Sequence, residues 1–154
     1  MLYSQGLASA LGTEFLFGRN QKVSLDEIAR APCLLLYFTA SYCPASQRFN
    51  DLLFPVYNQL NSPRKVLEVI VVSKERNEVE HRKYTDRLPC VYLPYDFDRS
   101  QELFRRYAVR DMPQVLLLKR DDGGILTRDG RSHLESDGPR VLERWRKQFG
   151  RLVE

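Results

Sequence analysis

The chain has little that would staple it or carry it across a membrane. It holds three cysteines, two histidines and one tryptophan in 154 residues, and its longest unbroken apolar run is six residues, Cys33 to Phe38. Such a run is far short of the ~20 residues of a membrane helix, so no transmembrane segment is expected. Three cysteines leave at least one thiol unpaired. Their separations of 10 and 47 residues do not form a paired-ligand zinc pattern, so neither a disulfide framework nor a metal site is expected. No Lys or Arg precedes Arg19, and Tyr3, Ser4, Gln5 and Gly6 interrupt the apolar residues of the N-terminus, which lacks the charged start and apolar middle of a signal peptide. A free thiol without an export signal points to a reducing, cytoplasmic setting. Internal repeats, low-complexity tracts and Pro/Gly/Ser-rich linkers are also missing, so residues 1–154 read as one domain.

What is present is enough for a core. The composition is 43% hydrophobic and 29% charged, with 8 Gly and 8 Pro, which excludes disorder and collagen-like repeats. A chain of this size buries roughly 70% of its extended surface. Thr13 to Phe17 and Lys22 to Val23 flank a turn-like Gly18-Arg19-Asn20-Gln21 and predict a short N-terminal β-hairpin, and Ser24 with Glu27 fits a capping box opening a short helix. Cys33 to Thr39 and Val66 to Ser73 are continuous apolar runs, the pattern of strands covered on both faces. Between them Phe49, Leu52, Leu53, Val56, Tyr57 and Leu60 recur at helical spacing, predicting a helix from about Pro44 to Leu60 with a kink near Asp51 caused by Pro55. Strand, helix, strand implies a right-handed parallel crossover.

The second half changes period. Glu75 to Arg87 reads as a charged helix, and Asp98 to Tyr107 as a better one capped by Asp98. Gln114 to Lys119 and Ile125 to Arg128 flank Asp121-Asp122-Gly123-Gly124 and predict an antiparallel pair. After Gly138-Pro139, the positions Val141, Leu142, Trp145 and Phe149 predict a closing helix. The fold class expected is α/β, a mixed central sheet flanked by helices.

The segment from Phe38 to Ser46 carries the chemistry. A buried strand runs through a tight loop into a helix that begins at Cys43 and Pro44. Proline suits the first helical position, where its missing N–H costs nothing. Cys43 then meets the orphan N–H groups and positive dipole end of the helix, which favour thiolate over thiol. Cys33, opening an apolar strand, reads instead as a small hydrophobe.

Tyr37-Phe38-Thr39-Ala40-Ser41-Tyr42-Cys43-Pro44-Ala45-Ser46 resembles the active-site segment of the thioredoxin superfamily, in particular its tryparedoxin and nucleoredoxin branch, which reads Trp-Cys-Pro-Pro-Cys. Val71 to Glu75, Leu88 to Tyr95, Tyr107 to Pro113 and Gly124 to Gly130 resemble the same branch, so that the resemblance covers about residues 14 to 149. It implies a thioredoxin-like fold with Cys43 exposed at a strand end. It further implies that Met112-Pro113 is the family's cis-proline element, with Met112 in a substrate-binding groove shared by Tyr42, Pro44, Ala45 and Pro113.

Three departures from the branch shape the functional expectation. Ser46 replaces the second cysteine, so the motif has one thiol, and a hydroxyl cannot complete the exchange as a resolving sulfur. Ser46 is instead a candidate hydrogen-bond donor to the Cys43 thiolate. Tyr42 stands at the Trp position. Cys90 stands where the branch has a Trp, either as packing, as a reactive surface thiol or as a displaced resolving thiol. Tyr37 takes the position of the buried acid of ordinary thioredoxins, so β-strand 33–39 offers no carboxylate to receive the thiol proton. Glu75 is either a neighbouring proton acceptor or an exposed carboxylate at a helix start. His81 and His133 read as solvent-facing, and the basic stretch Gly138 to Glu154 as a solvated helix face or a surface attracting anions.

These readings point to a monothiol thiol-disulfide exchange protein: Cys43 attacks a protein disulfide or a glutathione- or trypanothione-type disulfide, and an external thiol resolves the adduct. Classical dithiol reductase activity is expected to be weak. A redox-inactive binding or adaptor module on the same fold, and a dithiol cycle through Cys90, are the alternatives. No cofactor, metal, nucleic acid or membrane partner is expected, and the oligomeric expectation is a monomer.

Overall fold

The computed structural model describes residues 5–154; Tyr3 and Ser4, part of the N-terminal reading above, lie outside the described residues. The chain forms a seven-stranded mixed sheet in the order β2 (Gln21–Val23), β1 (Phe15–Phe17), β5 (Val91–Tyr92), β4 (Leu67–Ser73), β3 (Cys33–Thr39), β6 (Gln114–Leu118), β7 (Ile125–Thr127). Helix α1 (Gln5–Leu11), which the sequence pattern did not predict, buries Leu7, Ala10 and Leu11. Strands β1 (Phe15–Phe17) and β2 (Gln21–Val23) form the expected antiparallel hairpin. Its turn places Gly18 and Asn20 at positive φ, a conformation these two residue types adopt most readily. Ser24 caps α2 (Leu25–Ala29) by accepting from the Glu27 N–H at 3.2 Å.

The centre follows the apolar runs. Strand β3 (Cys33–Thr39) and strand β4 (Leu67–Ser73) are buried at all seven positions each. They pair in parallel from Cys33↔Leu67 to Thr39↔Ser73, joined by helix α3 (Pro44–Leu60). Pro55 does not end α3. It lies on the exposed side of the helix, where water can take the hydrogen bond lost at the Asp51 carbonyl. Strand β5 (Val91–Tyr92) adds in parallel to β4 and antiparallel to β1. On the other side β6 (Gln114–Leu118) and β7 (Ile125–Thr127) run antiparallel.

Two apolar layers cover the sheet. One packs α3, α6 (Gly130–Asp137) and α7 (Val141–Phe149) through Phe49, Leu53, Tyr57, Leu134, Leu142 and Trp145. The other packs α1, α2 and α5 (Phe97–Arg106) through Leu7, Leu11, Ile28, Leu103 and Phe104. Helix α5 begins one residue before the expected start, and its cap is Asp96 rather than Asp98: the Asp96 carboxylate accepts from the Arg99 N–H at 3.0 Å. Helix α4 (Glu78–Thr85) starts three residues later than expected, behind the cap Asn77. The cause is Glu75, whose side chain is drawn into the protein and holds residues 74–77 out of the helix. Helix α6 had too faint a pattern to be predicted, because only Gly130 and Leu134 of it are buried.

Candidate active site

The loop between β3 and α3 is fastened before it reaches the cysteine. Glu75, just beyond the end of β4, is 2% exposed. One carboxylate oxygen accepts from the Ser41 N–H at 2.7 Å and from the Ser73 hydroxyl at 2.5 Å, and the other accepts from the Ser41 hydroxyl. The expectation of an exposed helix-start carboxylate is therefore corrected. The buried acid that β3 lacks is supplied from β4, and its three hydrogen bonds make it an anchor for the loop. Lys74 N–H donates to the Thr39 carbonyl at 2.9 Å, and the Gln47 side chain donates to the Ser41 carbonyl at 2.6 Å, closing the loop from both sides.

Beneath the loop lies a partly buried polar chain. The Tyr37 hydroxyl donates to Asn50 Oδ1 at 2.6 Å, Asn50 Nδ2 donates to the Tyr84 hydroxyl at 3.1 Å, and Tyr84 pairs with the Thr39 hydroxyl at 2.9 Å. These bonds tie β3, α3 and α4 together. Burial raises the pKa of both Tyr37 and Tyr84 above the ordinary tyrosine value, so both stay neutral.

Cys43 is the N-cap of α3, with extended backbone at φ −90° and ψ 111°, and Pro44 follows at the start of the helix. The sulfur is half-exposed and 3.9 Å from the Met112 carbonyl, to which the thiol donates weakly. Its pKa is held below the ordinary thiol value. The Ser46 hydroxyl is the largest cause, opposed by partial desolvation, with the Ser46 and Ala45 N–H groups and the Arg48 charge adding to the lowering. Ser46 is fully buried, and its Oγ makes no hydrogen bond in this structure. A buried donor without a partner is costly. Ionisation of Cys43 gives that hydroxyl an acceptor, which is the physical link between the two residues.

Facing Cys43 is the Met112–Pro113 segment, whose peptide bond is cis. Two residues that sequence reasoning missed hold it. Arg131 donates to the Pro113 carbonyl at 3.3 Å. Gly130 lets α6 press against β6: a Cβ there would lie 2.7 Å from the Val115 carbonyl oxygen. A glycine opening a helix directly after Asp129 was the only signal for this contact. Tyr42 projects beside Cys43 at 47% exposure, with the Arg76 guanidinium 5.1 Å from its ring centre. Tyr42, Cys43, Pro44, Ala45, Met112 and Pro113 are thus gathered at one end of the sheet.

Cys90 is not among them. All three cysteines are free. Cys90 is 1% exposed and adjoins Val91, which pairs with Ile70. The run from Ile70 to Ser73 alone spans about 10 Å, beyond the ~7 Å between Cα atoms that a disulfide tolerates. Burial raises its pKa, so it is no surface thiol either. Cys90 instead lines a concavity of about 820 Å³ with Tyr57, Asn61, Lys65 and Glu68, toward the start of β4.

The solvent-facing reading is corrected for His81, which is buried against Tyr92 and Tyr95, with burial lowering its pKa. His133 is partly exposed and accepts a hydrogen bond from the Trp145 indole at 3.1 Å. Among the described residues no group of three or more His, Cys, Asp or Glu side chains is placed to hold a metal ion, and no helix is long and apolar enough to cross a membrane. The basic C-terminal stretch is partly neutralised, with Arg140 on Glu143 and Arg144 on Asp137.

Comparison with known proteins agrees with this geometry. A family model described as Thioredoxin-like matches residues 32–125. Tryparedoxin of Trypanosoma brucei brucei is 30% identical over 135 residues, covering 86% of this chain and 92% of that protein. A solved structure of tryparedoxin from Trypanosoma brucei superposes with a TM-score of 0.78 at 28% identity, over 87% of this chain and 93% of that one. Nucleoredoxin of Danio rerio is 28% identical over 82% of this chain, which spans only 31% of that longer protein. A structure of tryparedoxin II complexed with glutathionylspermidine gives a TM-score of 0.76 at 25% identity, over 94% of this chain and 97% of that one. With a cysteine capping the helix after the central strand and a proline loop closing on its sulfur, this chain belongs to the thioredoxin-like family of redox proteins, alongside the tryparedoxins and nucleoredoxins.

Proposed function

We propose that this chain works as a single-domain monothiol exchange protein in which Cys43 is the nucleophile. The observation that carries the reading is the buried, partnerless Ser46 hydroxyl beside a half-exposed cysteine at a helix N-terminus. The helix end and the hydroxyl both favour the thiolate, the form that attacks a disulfide. The Cys43 thiolate displaces one sulfur of a disulfide. A new sulfur-sulfur bond joins Cys43 to one half, and the other half leaves as a thiolate that takes its proton from solvent. An external thiol then attacks the mixed disulfide, releasing Cys43 reduced and leaving the two other sulfurs joined.

Ser46 stabilises the thiolate in this scheme and cannot resolve the adduct. The groove between Tyr42, Pro44 and Ala45 on one side and Met112 and Pro113 on the other receives the substrate, a protein disulfide or a disulfide of a glutathione- or trypanothione-type thiol. The complex of tryparedoxin II with glutathionylspermidine supports the low-molecular-weight class. Three free thiols suit a reducing compartment such as the cytoplasm.

The test is the alkylation rate of each cysteine against pH, read peptide by peptide by mass spectrometry. Cys43 is expected to react first, with an apparent pKa below the ordinary ~8.5 of a free cysteine, and Cys43→Ser to abolish mixed-disulfide formation. A Cys43 that titrates as an ordinary thiol and forms no mixed disulfide would leave the groove as a binding surface only.

A further inference from the structure

We infer that two arginines on the rim of the groove, Arg76 and Arg48, narrow the choice of Cys43 among the low-molecular-weight disulfides proposed above, toward anionic ones bearing free carboxylates, as glutathione disulfide does, and away from those carrying a cationic polyamine. This inference rests on Cys43 being the exchanging thiol.

Arg76 is exposed and lies over the ring of Tyr42, the residue preceding Cys43. Its backbone is fixed from below, because the Tyr95 hydroxyl donates to the Arg76 carbonyl at 3.2 Å. Arg48 is exposed in the second turn of α3, five residues after the N-cap Cys43, and its charge is the smallest of the causes that lower the Cys43 pKa. Among the described residues neither guanidinium has a carboxylate within 4 Å, whereas Arg82, Arg99, Arg131, Arg140 and Arg144 each have one. The acid nearest to Arg76 in the chain, Glu75, is buried and turned onto Ser41 and Ser73. On the opposite wall, the exposed residues Arg110 and Asp111 precede Met112 and carry one charge of each sign. The rim of the groove therefore carries unpaired positive charge on the Tyr42 and α3 side.

A thiolate by itself repels an anionic disulfide and attracts a cationic one. Unpaired guanidiniums beside it reverse that order, and their planar donor forks match carboxylates. Charge of one sign around a reactive group raises the encounter rate with opposite charges by tenfold or more at low ionic strength.

The experiment measures the rate of mixed-disulfide formation at Cys43 with glutathione disulfide and with cystamine. Each rate is divided by the rate of a small neutral thiol with the same disulfide, at low and at ~1 M salt. The expected result is a normalised preference for glutathione disulfide of about tenfold at low salt, which shrinks toward one when salt screens the charges. Arg76→Glu and Arg48→Glu are each expected to reduce this ratio severalfold and together to invert it. The ratio is unaffected by any change they cause in Cys43 acidity, which acts on both substrates alike. Equal normalised rates that ignore salt overturn the selection by the arginines and leave Cys43 as the nucleophile. Failure of Cys43 to react with either disulfide overturns the exchange reading itself.

Discussion

Cys33 and Cys43 are ten residues apart in the chain and occupy opposite ends of one strand-loop-helix unit, with opposite chemistry. At the N-terminal end of β3, Cys33 is 2% exposed, its thiol donates weakly to the Val153 carbonyl at 3.6 Å, and burial pushes its pKa up to about 11. Cys90, near the same end of the sheet, is raised for the same reason. At the C-terminal end, beyond Thr39, Cys43 meets a helix N-terminus, an orphan hydroxyl and an arginine, and its pKa is lowered. Residue type is constant in this comparison. What differs is whether the surroundings can solvate a negative sulfur, and only the end of the sheet where the loop turns into α3 can do so.

The comparison breaks most severely at the loop anchor. Glu75→Ala leaves the Ser41 N–H and the Ser41 and Ser73 hydroxyls without their acceptor, and losing buried hydrogen bonds to a charged group is expected to cost about 3 kcal/mol. Urea denaturation reads that loss, and Cys43 alkylation should slow in the folded protein as the loop loosens. Cys90→Ser, at the other end, should leave the exchange rate of Cys43 unchanged.

A smaller change sharpens the contrast without touching the fold. Ser46→Ala should move the pH profile of Cys43 alkylation upward, toward the ordinary thiol value, because the largest cause of the lowering is gone. Stability should hold or rise slightly, since the deleted hydroxyl makes no hydrogen bond. A large loss of stability with an unmoved profile would show that Ser46 serves packing and not the thiolate.

The smallest effect is expected at Glu68, beside Cys90. Its carboxylate is 2% exposed, and burial raises its pKa despite Lys65 at 3.1 Å and the Tyr57 hydroxyl at 3.4 Å. A raised folded pKa means that the group's contribution to stability is fully present below the unfolded carboxylate value of about 4.3 and is lost as pH rises through the folded value. Glu68→Gln removes that loss. Its stability should exceed that of the parent at pH 7 by less than the Glu75 change costs, and the difference should shrink on acidification toward pH 4. Thermal denaturation across that range measures it.

Most of the fold was legible because the central elements are all-buried apolar runs or clean helical stripes. Strands β3 and β4 and helix α3 follow from hydrophobicity alone, whichever neighbours they meet. Elements held by a few long-range contacts were not legible. Helix α1 shows only a short apolar pattern, β5 is two residues long, and α6 depends on Gly130 fitting under β6. The cap of α5 was misplaced by two residues because Asp96 and Asp98 are equally good caps on paper, and only the chain path decides which faces the Arg99 N–H. At the site, Cys43 and Pro44 were legible from their place between a strand and a helix.

By itself, then, the sequence determined the alternation of buried strands and amphipathic helices, the position of a cysteine at a helix start and the absence of a second thiol at residue 46. Hydrophobic periodicity and capping act over a few residues and are written locally. Tertiary structure alone decided that Glu75 is an anchor and not a surface carboxylate, that Cys90 lies away from Cys43, that His81 is buried, and that Arg76 stands over Tyr42. Each of those depends on separate elements of the chain meeting in space, and burial then sets the cost of every charge they carry.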